Sequence, residues 1–424
     1  MSTPLYRSRP GGREMRPASQ SEATRIRDFV WLSEGLSNSY LVVTSEGRVV
    51  INTGMGFEAP VHKRLFDAVD QGALRYILLT QGHVDHVGGV DHFREAGTEI
   101  VAQANNPACQ ADDARIARFR AKRSAFAFGR TIAEALRQGR DRSPPEAPPV
   151  QSKPEPTLSF DEHYAFELGG TRFELISTPG GETIDSMVVW LPDHGIAFVG
   201  NLFSALFGHF PNLVTVRGDR YRFVIPFLES LDRVLELEPE LLLTGHFGPV
   251  EGRSTIASEL GRLRGAVEYV HDETVRGMNE GRDVQTLMRE IRLPPELEVG
   301  EGYGRVSWSV RAIWEGYAGW FHHRSSTELY PVPYWSVHGD LVELAGGTTA
   351  IIDRARARLE AGEPVEALHL CEVALAHDAA DPETLKLSVA AHEALLKRAE
   401  ARNFWEISWL EKELERLRGL LGTA

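Results

Sequence analysis

Leu78-Leu79-Thr80-Gln81-Gly82-His83-Val84-Asp85-His86-Val87-Gly88-Gly89 sets two imidazoles and a carboxylate side by side, directly after an apolar run that ends in Thr. Tyr76-Ile77-Leu78-Leu79 is short and almost wholly apolar, the pattern of a strand buried on both faces, so the polar loop is expected at a strand end. Imidazole and carboxylate are the hard-to-borderline donors that zinc and iron take, and His83, Asp85 and His86 read as metal ligands. The plainer alternative is a hydrogen-bonded polar loop. Leu241-Leu242-Leu243-Thr244-Gly245-His246 repeats the theme, a second apolar strand whose end delivers a His.

Outward from these strands the pattern is α/β. Tyr40-Leu41-Val42-Val43 and Val49-Val50-Ile51 read as a hairpin whose second strand ends in the turn signal Asn52-Thr53-Gly54. Helical spacing predicts helices over Val61 to Val69, Val87 to Glu95 and Phe227 to Leu237, and further strands are expected at Ile100-Ala102, Phe173-Ser177, Met187-Leu191 and Ile196-Val199. Residues 108–157, rich in Ala and Arg and then in Pro, read as an insertion or lid over the site. In it Phe119, Phe126 and Phe128 are either core or the lining of a substrate channel. After about residue 255 the chain turns helical, and Ile351 to Glu360, Pro364 to Ala376 and Pro382 to Leu396 resemble helical-hairpin repeats.

The net charge of −14 argues against a nucleic-acid or anionic-membrane role, since phosphate binding is driven by Lys and Arg. Cys109 and Cys371 are the chain's 2 cysteines, too few for a disulfide framework or a thiolate metal cluster. Residues 1–27 are read as a flexible, Arg-rich arm without an export signal, no apolar run reaches membrane-spanning length, and a cytoplasmic location is expected.

The Thr80-Gln81-Gly82-His83-Val84-Asp85-His86 run resembles the signature loop of the metallo-β-lactamase-fold hydrolases, with Gln81 where that family places its first His. Three further stretches are similar to the linear alkylsulfatases: Gly180-Gly181-Glu182-Thr183 with Met187 in register, Asn212-Leu213-Val214-Thr215-Val216-Arg217-Gly218, and Gly302-Tyr303-Gly304-Arg305-Val306-Ser307 continuing to Tyr317-Ala318-Gly319-Trp320-Phe321. The chain departs from them at Trp308-Ser309, where that family has His-Asn, and it ends before that family's sterol-carrier-like domain.

The resemblance implies an αββα metallo-β-lactamase sandwich over residues 28–300, followed by an all-α dimerisation domain over 301–424 and hence a homodimer. It implies a first metal on Gln81, His83 and Glu182, a second on Asp85, His86 and His246, and a bridging position at Asn201. Gln81 and Asn201 are neutral amides, expected to ligate weakly or not at all, which leaves two imidazoles and one carboxylate as the stronger set. That set suits one or two zinc ions with an open water position, or iron(II) in a facial triad. Arg217 is expected to hold the charged group of a small anionic substrate, with Asn212, Thr215 and Tyr303 as further contacts.

These readings lead to a metal-dependent hydrolase of an anionic ester, alkylsulfatase-like, in which a metal-bound hydroxide attacks and Asp85, Arg217 and Tyr303 are catalytic. The alternatives are a mononuclear non-haem iron oxygenase on the same loops and a dimeric binding protein whose site has decayed.

Overall fold

The computed structural model of the chain describes residues 3–142, 150–213, 216–220, 222–400 and 402–423. Among the described residues, thirteen strands form two mixed sheets. The first contains β1 (Thr24–Arg27), β2 (Val30–Ser33), β3 (Ser39–Thr44), β4 (Gly47–Ile51), β5 (Leu74–Leu79), β6 (Glu99–Gln103) and β7 (Leu158–Phe160), in sequence order. The second contains β8 (His163–Leu168), β9 (Thr171–Ser177), β10 (Met187–Leu191), β11 (Ile196–Gly200), β12 (Leu241–Thr244) and β13 (Val250–Glu251), also in sequence order. β4 to β7 run parallel, as do β11 and β12, while the remaining pairings are antiparallel.

Strand alternation builds the layers, because successive side chains point to opposite faces. Tyr40, Val42, Val49, Ile51 and Leu78 meet Phe173, Leu175, Val189, Phe198 and Leu243 between the sheets. The alternate residues Leu41, Val50, Ile77 and Leu79 pack on Ala59 and Phe66 of the helix Ala59–Val69 and on Val87, Val90 and Phe93. On the far side, Val188, Ala197, Val199 and Leu242 meet the helices Val224–Glu236 and Arg253–Asn279. The expected αββα sandwich is therefore what the chain forms.

The single helix expected near Val87 to Glu95 is instead two short ones, Val84–Val87 and Val90–Phe93. The break lies at Gly88-Gly89, where a Cβ on Gly89 would sit 2.4 Å from the Thr53 carbonyl oxygen and 2.5 Å from Ala59 Cβ. Glycine is what lets this turn press against the hairpin end. Sequence periodicity does not anticipate β1, β7 and β8, which are short or half-exposed and carry charged or polar residues at alternate positions.

The N-terminal segment expected to be flexible is tied to the body. Arg9 donates to the carbonyls of Gly248 (2.7 Å) and Pro249 (3.1 Å), and Met15 and Ala18 are buried. The chain divides into two compact units, Met1–Tyr317 and Ala318–Ala424. The helix Val306–Ala318 goes with the first because Val306, Val310, Ala312 and Ile313 are buried in its core. The second unit holds the helices Thr349–Glu360, Pro364–His377, Pro382–Ala399 and Phe404–Thr423. Among the described residues no helix is long and apolar enough to cross a membrane.

Glu58 braces the loop that approaches the site. Its Oε1 accepts from the backbone N–H groups of Leu36 and Ala18, both at 2.8 Å, and neighbouring Ser37 and Asn38 bond to the carbonyls of Asp85 and Gly245. Burial, outweighing these hydrogen bonds, pushes the Glu58 pKa from 4.5 up to about 7. A raised carboxyl pKa gives stability that is full below pH 4.5 and lost as pH rises through 7. Glu58→Gln should remove this slope, worth up to about 3 kcal/mol, when denaturant midpoints of variant and wild type are compared from pH 4 to 8. Parallel profiles would refute it.

Candidate metal centre

The site gathers at strand ends, where backbone and side chains leave the sheet and are free to converge. β5 delivers Gln81, His83, Asp85 and His86. The loop after β9 delivers Glu182, β11 ends beside Asn201, and β12 delivers His246. Donor atoms of Asp85, His86 and His246 lie within 4.8 Å of one another. Both imidazoles are buried, and none of their four ring nitrogens has a hydrogen-bond partner among the described residues. His86 Nε2 stops 3.6 Å from Asp85 Oδ2, and the Leu36 carbonyl near His246 falls outside hydrogen-bond geometry.

Burial lowers the His86 pKa to about 4 and that of His246 in the same direction. Burial opposes the Asp85 charge, yet His86, His246 and His83 hold its pKa below the usual carboxylate value. Neutral imidazoles beside an ionised carboxylate are the protonation states that a metal ion requires. Unpartnered buried nitrogens cost about 1–3 kcal/mol each, and a bound dication would relieve that cost for one nitrogen of each ring. This trio fits a metal ion.

The other expected trio does not. Gln81 Nε2 donates to Glu182 Oε2 at 3.2 Å and lies 2.9 Å from His83 Nδ1, so an amide nitrogen occupies the middle of the group. The backbone N–H of Asn201 donates to Gln81 Oε1 at 3.2 Å, which settles which end of that amide faces inward. Asn201 Nδ2 donates to Glu182 Oε2 at 2.7 Å, and Arg222 Nη2 stands 3.3 Å from Glu182 Oε1. Both carboxylate oxygens of Glu182 are thus engaged. Burial works against its charge, but Arg222, His83 and Arg217 outweigh it and hold the carboxyl well below its usual range.

A cluster that sequence reading missed adjoins this trio. His83, Asp113 and Asp219 bring ligand-type atoms within 4.8 Å of one another, with His83 Nε2 3.4 Å from Asp219 Oδ2. Guanidinium groups already surround Asp219, those of Arg120 at 3.5 Å, Arg222 at 3.7 Å and Arg217 at 3.8 Å, and Arg120 also pairs with Asp113. The one local signal was Asp219 and Arg222 following Arg217 within a few residues.

Arg217 itself points into this network, while Asn212 is buried and its carbonyl accepts from Arg222 Nη1 at 2.9 Å. Thr215 lies outside the described residues. Tyr303 is buried near Arg217, and burial, only partly offset by that guanidinium, raises its pKa to about 12, leaving a neutral phenol at physiological pH. Its turn is held by His209, whose Nδ1 accepts from the Gly302 N–H at 2.8 Å. The helix Ala117–Arg142 of the expected insertion also reaches this loop, since Arg123 donates to the Val216 carbonyl at 2.8 Å. The Pro-rich residues 143–149 lie outside the described residues.

Residues 32–246, half of the chain, match the model of the metallo-beta-lactamase superfamily. The chain belongs to that superfamily. Residues 283–416 of this metallo-beta-lactamase-superfamily protein match the alkyl sulfatase dimerisation model. Over 332 residues it is 27% identical to the linear primary-alkylsulfatase of a Pseudomonas species, covering 74% of this chain and 61% of that protein. Over 417 residues it is 23% identical to the alkyl/aryl-sulfatase BDS1 of Saccharomyces cerevisiae, covering 93% and 64%. The fold matches the inverting sec-alkylsulfatase Pisa1 from Pseudomonas sp. with a TM-score of 0.80 at 20% identity, over 94% of this chain and 66% of that one. The chain thus spans under two thirds of the length of each of these relatives.

Proposed function

We propose that this protein hydrolyses a small anionic sulfuric ester of the alkyl sulfate type, using one metal ion held by Asp85, His86 and His246. The observation that carries the reading is that trio, whose two buried imidazoles have no hydrogen-bond partner among the described residues and are complete as ligands only with an ion. Asp85, His86 and His246 would hold a zinc ion, which when bound would supply Lewis acidity and lower the pKa of a water toward neutrality. Asp85 would serve as a ligand and orient the attacking water. Arg217 presents a planar fork to two oxygens of the ester's charged group. Tyr303, protonated at the working pH, donates a hydrogen bond to that group. Burial of these residues keeps water from competing for the same donors.

The dimerisation-type match and a run of exposed apolar residues, among them Trp320, Tyr330, Tyr334, Trp335 and Leu344, support a homodimer. The test is one preparation loaded with zinc. It should release inorganic sulfate from linear alkyl sulfates of graded chain length, at the same rate with and without oxygen, and scatter light as twice 47.2 kDa. Oxygen uptake with iron(II) and no sulfate release would replace this reading by the oxygenase, and a monomeric mass would remove the dimer.

A further inference from the structure

We infer that the Arg222 guanidinium, paired with Glu182, supplies the positive charge that the resemblance assigns to a first metal, so that the site works with one divalent ion and one resident guanidinium. The inference rests on Asp85, His86 and His246 forming a metal site. Arg222 is well placed to act as a built-in cation. Its backbone N–H donates to the Leu213 carbonyl at 3.1 Å and its Nη1 to the Asn212 carbonyl at 2.9 Å, which hold the side chain in place. Nη2 then faces Glu182 Oε1 at 3.3 Å and Asp219 Oδ2 at 3.7 Å, with the side chain only 10% exposed.

Charge balance points the same way. Glu182, Asp219 and Asp113 each stand in an ion pair with a guanidinium, of Arg222, Arg217 or Arg120, so their charges are already offset one for one. A metal entering between Gln81, His83 and Glu182 would have to displace an amide nitrogen that already sits among them and would face three guanidinium charges.

Asn201 divides the former bridge between the two halves of the site. Its Nδ2 serves Glu182, while its Oδ1, buried and without a partner among the described residues, borders the other trio. A Cβ built on Gly245 would lie 2.1 Å from that oxygen and 3.1 Å from His86 Cε1, so glycine at 245 keeps this space open. The guanidinium supplies fixed positive charge beside the ester without the variable occupancy of a second ion.

The experiment is titration of the metal-free full chain with cobalt(II), followed by visible absorbance and checked by elemental analysis. Wild type should saturate at one equivalent per chain. Gln81→His with Asn201→Asp restores good ligands but leaves Arg222 in place, and should still saturate at one. Adding Arg222→Gln to that pair should raise the end point to two. Two equivalents in wild type or in the double variant would overturn the role of Arg222, as would one equivalent in a triple variant with native circular dichroism. No uptake at all by wild type would instead overturn the metal site itself.

Discussion

His246→Ala is expected to abolish metal uptake and lower kcat/KM at least about 10³-fold, the several kcal/mol that a bound Lewis acid supplies. The trio has no spare ligand to compensate, since the neighbouring donors Glu182 and His83 are committed to Gln81, Asn201, Arg222 and Asp219. A second readout separates metal loss from misfolding. Zinc at about 1,000 times its dissociation constant should stabilise wild type by about 4 kcal/mol against unfolding and leave His246→Ala unchanged. A variant that keeps both the zinc-induced rise in Tm and wild-type turnover would eliminate this site as the catalytic centre.

Arg217→Lys should cost about 10²- to 10³-fold in kcat/KM on an alkyl sulfate, comparable with removing one preorganised donor to a developing charge. The loss is expected even though the charge is kept. An ammonium cannot present two parallel N–H groups to a sulfate edge, and it is more strongly hydrated than a guanidinium when buried. Cobalt uptake should stay at one equivalent, because Arg217 lies outside the Asp85, His86 and His246 group. Unchanged kcat/KM in Arg217→Lys would mean that the substrate's charge is held elsewhere, with Arg120 and Arg222 the other guanidinium groups around Asp219.

Much of the sandwich was readable locally. The apolar runs of β5, β10, β11 and β12 are buried on both faces and show it in composition, whereas β1 and β8 are part-exposed and carry polar residues that periodicity reads as loop. Gly88-Gly89 split an expected helix because of a contact with Thr53 and Ala59, residues of an earlier turn that no local pattern reveals.

The chain's own order of residues determined that two imidazoles and a carboxylate share the His83 to His86 loop, that a further His stands at the end of a distant apolar strand, and that neutral amides stand at 81 and 201. Those are matters of residue type at strand ends. Only the tertiary structure decided that the amides turn their nitrogens onto Glu182, that Arg222 stands opposite them, and that Asp113, Arg120 and Asp219 join His83. These contacts link residues far apart in sequence, such as Gln81 with Glu182 and Arg120 with Asp219. Hydrogen bonding and charge pairing act through space, so which of several nearby cations and amides fills a buried carboxylate's coordination is set only when the strand ends are brought together.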